Sequence, residues 1–171
     1  IKEVLKMNET IKLLQNRRSV REFTGEKIKD EDLELILKTA QRAANSVNGQ
    51  QISLIVVRDK DKLKKISELS HNQKHIEECD AFIFVLADFY RSTYAANSVG
   101  KRNVGPKTAD GVVVGAVDAG IMVNGYRNGC KCFGIWNDCD WSNKKFAKRI
   151  FRNARTSAIC NSYSWCSTWS T

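Results

Sequence analysis

The chain has 171 residues, 28 Lys/Arg against 19 Asp/Glu, and a formal charge of +9. A chain of this length buries one real core, so a single domain is expected. No stretch is apolar and long enough to span a membrane, and the first residues lack the apolar centre of a secretory leader, so a cytoplasmic location is the expectation.

Ile11 and Leu14 predict a short first helix. It leads into Arg17-Arg18-Ser19-Val20-Arg21, which places three guanidiniums and a hydroxyl in five positions. Arginine offers a rigid fork of donors that matches phosphate oxygens. Taken alone, a solvated basic face is the commoner meaning of such a cluster. Asp30 is the expected N-cap of a second helix carrying Leu33, Ile36, Leu37 and Ala40 at helical spacing and running to about Ala44.

Asn45–Gln51 is polar and contains glycine, so it predicts a loop. Ile52–Val57 is a β-branched apolar run and predicts a buried strand. Asp61–Leu69 predicts a charged helix with Leu63, Ile66 and Leu69 inward, and His71–His75 a polar connector. Ala81–Ala87 predicts a second buried strand ending at Asp88. Residues 92–108 are polar and hold the only proline, Pro106. Ala109–Val123 is small and apolar on nearly every side, as a buried helix is. Strands alternating with helices predict a layered α/β or α+β domain.

Several sharper motifs are absent. There is no GxGxxG dinucleotide fingerprint. Gly100-Lys101 does not complete a phosphate-binding P-loop, because Ala95 stands at the earlier glycine position. His71 and His75 are four apart, but Cys79 and Asp80 complete a strained set, and no metal is expected. Cys130-Lys131-Cys132 does not form a paired CxxC pattern.

Five segments in order carry a resemblance: Arg-Arg-Ser-Val-Arg-Glu-Phe (17–23), Ser-Val-Asn-Gly-Gln (46–50), Asn-Gln-Lys-His (72–75), Ala-Asp-Phe-Tyr-Arg (87–91) and Gly-Ala-Val-Asp-Ala-Gly (115–120). Together, over residues 7–124, they resemble the FMN-dependent nitroreductase family, and within it the NADPH-using, oxygen-insensitive nitroreductases and flavin reductases. The resemblance implies an α+β, three-layer fold, a mostly antiparallel sheet flanked by helices.

It also implies a site. Arg17, Arg18, Ser19 and Arg21 would hold the FMN phosphate and ribityl chain. Ser46, Asn48 and Gln50 would line the pyrimidine edge of the isoalloxazine across a homodimer interface. Gln73 and Lys74 would approach the flavin from their own subunit. A flavin needs cations at its phosphate and amide donors at its ring edge, so the residue types suit the task. Without the resemblance, Asn48 and Gln50 are equally well explained as ordinary loop polarity. Where the family often has Pro-Ser-Ser before the Asn and Pro-Trp after the Gln, this chain has Ala44-Asn45-Ser46 and Gln51-Ile52.

The implied activity is an FMN-dependent NAD(P)H oxidoreductase, reducing nitroaromatics, quinones or flavins by ping-pong hydride transfer. No side chain need act as acid, base or nucleophile, because the cofactor carries the chemistry. The partner is a small-molecule acceptor rather than nucleic acid or membrane. A flavin-dependent dehydrogenase or dehalogenase of the same fold is an alternative. The overall charge keeps a basic nucleic-acid-binding module as a further one.

That last reading weakens because the charge is unevenly placed. Residues 125–171 hold eight Lys/Arg and two Asp, +6, which leaves +3 for residues 1–124. The same stretch holds all four Trp and five of six Cys, yet no Leu, Val, Glu, Gln, Met, Pro or His. Leu, Val and Glu are among the commonest residues of globular domains. An out-of-frame translation accounts for this. Tryptophan has the single codon TGG, so a one-base shift turns each Trp into Gly. Trp136 and Trp141 then match the spacing of the family's Leu-Gly-x-Gly and Ile-Gly-Gly glycines, and Trp165 and Trp169 that of Gly-x-x-Leu-Gly. One extra base near codon 125 is the expectation, with 125–171 a shifted tail and the chain impaired for want of the segment completing the phosphate site. Ile1–Lys6 can be encoded by a ribosome-binding sequence, so Met7 is the expected start.

Overall fold

The computed structural model describes residues 8–139. The 1–6 segment, the start at Met7, and Trp141, Trp165 and Trp169 of the tail lie outside the described residues. Six helices and two strands follow in order: α1 (Glu9–Gln15), α2 (Asp30–Gln41), β1 (Ile52–Val57), α3 (Lys60–Leu69), α4 (Lys74–Glu78), β2 (Phe82–Ala87), α5 (Tyr90–Ser98) and α6 (Ala109–Cys132), with single 3-10 turns at Ser46–Asn48 and Gly105–Lys107.

The two strands pair antiparallel, Ile52 opposite Ala87 and Val57 opposite Phe82. Successive side chains point to opposite faces of a sheet, and both faces are covered. Ile52, Leu54, Val85 and Ala87 join Ala40 of α2 and Met122 of α6 in one core. Val57, Phe82 and Phe84 join Ile66 and Leu69 of α3 and Ile76 of α4 in the other. Burial from both sides is why these strands read as continuous apolar runs rather than alternating ones. The result is three layers: α2 with α6, the sheet, and α3 with α4.

Several boundaries differ from the sequence expectation. Asp30 is the first helical residue of α2 rather than its cap. Lys29 holds the cap position without a side-chain bond, and α2 ends at Gln41, not near Ala44. Asn8 caps α1 by accepting from the Ile11 amide at 2.9 Å, but α1 buries no residue, so Ile11 and Leu14 are half exposed. The expected connector 71–75 is a turn followed by α4, which starts at Lys74 and buries Ile76. The polar stretch 92–108 is partly helical, since α5 reaches Ser98.

The largest difference is α6. It continues past Val123 to Cys132, although Gly125 and Gly129 are weak helix formers. Packing overrides propensity here. A Cβ on Gly129 would lie 3.5 Å from the Ile36 side chain, and one on Gly125 would lie 3.6 Å from the Ala40 backbone. Both are ordinary van der Waals distances, so α6 lies against α2 at both positions with room for only a small residue. Nor is α6 buried on every side: Val113, Val117 and Ile121, each four apart, are 59%, 54% and 41% exposed.

Candidate functional site

Residues 17–29 run without regular structure from α1 to α2, so the 17–21 side chains are placed by what packs on them. The chain after α6 does this. The Val20 amide donates to the Asn137 carbonyl at 3.3 Å. Arg21 Nε donates to Asp138 Oδ2 at 2.8 Å. The Arg18 guanidinium lies 5.1 Å from the centroid of the Trp136 ring, and Lys131 Nζ lies 5.8 Å from it. Such stacking on an aromatic face is attractive for a cation.

A groove of about 1010 Å³ opens beside this cluster. Its walls come from residues 22–29, β2, the later turns of α6 and residues 133–139, and His75 of α4 and Arg127 of α6 reach it. His75 Nε2 lies 3.7 Å from Asp138 Oδ2, so α4 and the arginine segment meet at one carboxylate. Gln73 and Lys74 open the same short helix. Lys74 is exposed and pairs with Glu78 at 2.8 Å, and the Gln73 carbonyl accepts from the Ser67 hydroxyl at 2.8 Å.

Positive charge is concentrated around Lys131, while the groove lining itself mixes acids and bases. Burial, then the positive charges of Arg17, Arg127 and Arg18, hold the Lys131 ammonium below the usual lysine value. Arg127 Nε and Nη2 are buried without a hydrogen-bond partner. Burial pushes the Asp138 carboxyl up, but bonds from Arg21, the Cys139 backbone and Ser19, together with the Arg21 charge, leave it below the ordinary aspartate value.

The 45–51 loop is built separately. The Ser46 amide donates to both oxygens of Asp118, at 3.0 and 3.2 Å, and Gln51 Nε2 donates to the same carboxylate at 3.2 Å. Asp118 is only 2% exposed. The Gln50 amide donates to Asn45 Oδ1 at 3.0 Å, and Gln50 Nε2 to Asn48 Oδ1 at 3.3 Å. Arg91 donates to the Gln50 carbonyl and, at 3.0 Å, to that of Ile52. These bonds hold Val47, Asn48 and Gln50 at positive φ, which is costly for a β-branched residue such as Val47. The remaining described non-glycine residues at positive φ are His71 and Asn72, just before Gln73. Among the described residues, positive φ outside glycine is thus confined to the 47–50 loop and to the 71–72 turn just before α4.

The structure therefore brings the 17–21 segment and the start of α4 together at one end of α6. It does not bring Ser46, Asn48 and Gln50 there. Their anchor, Asp118, precedes Lys131 by 13 residues on α6, about 20 Å at 1.5 Å per residue. Sequence reasoning gave no role to Asp118 or Arg91, though both stand inside family segments. It also missed Arg127 and Asp138, for which no sequence signal exists: both matter only through contacts far along the chain. His71 precedes α4 and His75 lies within it, so the two do not share a helix face.

The fold is thus a three-layer α+β unit, with an arginine cluster beside a groove and a separate strained polar loop anchored on α6. The Nitroreductase family pattern matches residues 14–129, and the chain belongs to that family. It is 38% identical over 130 residues to FMN reductase [NAD(P)H] of Bacillus subtilis, covering 75% of this chain and 52% of the relative. To the oxygen-insensitive NADPH nitroreductase of Salmonella typhimurium it is 28% identical, with the same coverage. Among solved structures, B. megaterium NfrA2 superposes with a TM-score of 0.73 at 40% identity, covering 75% of this chain and 52% of that one. The NADPH:FMN oxidoreductase from Vibrio harveyi complexed with NAD+ gives 0.68 at 27% identity, covering 74% and 53%. The chain spans about half the length of these relatives.

Proposed function

We propose that this protein is an FMN-dependent NAD(P)H oxidoreductase that reduces small-molecule acceptors such as nitroaromatics, quinones or flavins. The carrying observation is the cationic cluster of Arg17, Arg18, Arg21, Arg127 and Lys131, with buried Arg127 donors left unpaired. Buried guanidinium groups want an anionic acceptor, and a flavin phosphate is one. Arg17, Arg18, Ser19 and Arg21 would hold that phosphate, and Gln73 and Lys74 the near side of the ring. When bound, FMN supplies the hydride chemistry. The chain's own part is to fix the phosphate, position the ring and present amide groups to its edge.

A homodimer is part of the proposal. Ser46, Asn48 and Gln50 are anchored near the middle of α6, about 20 Å from the arginine end, so they serve a flavin held by a second subunit. The exposed stripe of Val113, Val117 and Ile121, with Val47 at 95% exposure, supports such an interface. Among the described residues no helix is long and apolar enough to cross a membrane. A cytoplasmic location is proposed with the function.

Residues 7–124 are proposed as the family's own part, and residues 125–171 as an out-of-frame tail that leaves the chain impaired. The composition break at residue 125 supports this. The family match runs a few residues beyond it, to 129. Expression of this chain beside a version with one base deleted near codon 125 tests both proposals. A yellow, NADPH-oxidising product is expected only from the repaired version. The same product from the unrepaired chain overturns the impairment, and a colourless, inactive repaired protein overturns the function.

A further inference from the structure

Every buried side-chain nitrogen or oxygen without a hydrogen-bond partner among the described residues belongs to one of three residues: His75 Nε2, Arg127 Nε and Nη2, and Asp138 Oδ1. All three residues line the same groove. Buried polar atoms are nearly always partnered, so their concentration at one place marks an incompletely filled polar seat.

Asp138 occupies that seat. Its side chain is 8% exposed, its Oδ2 accepts from Arg21 Nε at 2.8 Å, and the same oxygen faces His75 Nε2 at 3.7 Å. Two further contacts hold the segment in place: the Val20 amide on the Asn137 carbonyl, and the Trp136 ring against Arg18. Residues 136–138 are therefore a strap laid across the arginine segment, with a carboxylate at its end. The carboxylate holds the Nε–H of Arg21 and neutralises its charge locally, so it competes with a phosphate monoester for the same guanidinium.

We infer that Asp138 is a built-in competitor for the anionic group of the ligand: the 136–138 strap keeps a carboxylate on Arg21, and a phosphate monoester such as that of FMN binds only by displacing it. This rests on the FMN reading of the arginine segment. It supplies a physical reason for poor flavin binding beyond the mere loss of family residues. Displacing the strap frees Arg21 and the His75 ring, while Arg127 on α6 already has open donors.

Titration calorimetry of the full chain with FMN, and separately with inorganic phosphate, tests the inference. Asp138→Asn and Asp138→Ser are each expected to bind both probes about tenfold tighter than the unaltered chain, as for a seat open about one-tenth of the time. Two variants guard against one failing to fold. Trp136→Ala loosens the strap without changing charge and is expected to shift affinity the same way, which simple charge repulsion would not do. Adding Arg21→Gln to Asp138→Asn should remove the gain. Equal affinity for the unaltered chain, both Asp138 variants and Trp136→Ala, with binding lost on Arg18→Gln, overturns the strap and leaves the phosphate site standing. No binding of FMN or phosphate by any variant overturns both.

Discussion

The Asp118 carboxylate in α6 accepts the Ser46 amide with both oxygens, at 3.0 and 3.2 Å, across 72 residues of chain. One buried acid thereby fixes a loop that contains Val47, Asn48 and Gln50 at positive φ. Asp118→Ala removes the acceptor and leaves the Ser46 amide and the Gln51 side chain unsatisfied. A loss of about 2–3 kcal/mol is expected, since bonds to a charged acceptor and orphaned buried donors each cost in that range. Urea unfolding monitored by circular dichroism reads it. A change below the error of the extrapolation would mean that the loop is held by Arg91 and Asn45 instead.

Two glycines of α6 set how closely it sits on its neighbours. A Cβ on Gly111 would lie 2.0 Å from the Gly105 carbonyl oxygen, and one on Gly115 would lie 2.8 Å from the Ala87 side chain. Neither partner is a flexible chain end. Gly111→Ala is expected to cost more than Gly115→Ala, with overpacking of this kind typically about 1–3 kcal/mol or more. Gly129→Ala, at 3.5 Å from Ile36, should be tolerated. Thermal melts of the three variants give the order, and any other ranking contradicts the packing.

Leu63 and Ile36 are 0% and 1% exposed, one on each side of the sheet. Truncation of either to Ala should cost about 2–5 kcal/mol through lost burial and the cavity left behind. Equilibrium denaturation measures both. Comparable losses show that the two helical layers contribute alike; a small loss at Ile36 alone would place the α2–α6 layer outside the cooperative unit.

Burial pushes the thiols of Cys79 and Cys130 up to about 11 from an ordinary 9.0. The thiolate is the reactive form, so both should label slowly with thiol reagents at neutral pH. Between about pH 9 and 11 the unfolded chain has released these protons while the folded chain retains them. Stability therefore holds below about pH 9 and falls as pH rises through about 11. Denaturation midpoints across about pH 8–11, with Cys79→Ser and Cys130→Ala for comparison, should show the slope flattening in the variants.

The three layers are largely legible in the order of residues alone. Apolar runs at 52–57 and 82–87 announce strands covered on both faces, and Leu33, Ile36 and Ala40 mark the buried face of α2 at helical spacing. The family segments pick out the arginines, the 46–50 loop and the start of α4. The end of α6 is not legible in this way. Glycines and asparagines after Val123 argue locally against helix, and only the approach of α2 shows why small residues serve there.

The sequence by itself determined the strand and helix faces and the cationic character of residues 17–21, because periodicity and charge are local properties, and its five segments carried the family resemblance. Tertiary structure decided which groups those cations meet. Arg21 against Asp138, Arg18 against Trp136, and Ser46 against Asp118 each join residues 72 or more positions apart. Such contacts follow from the packing of α6 against α2 and the sheet, which no local pattern encodes.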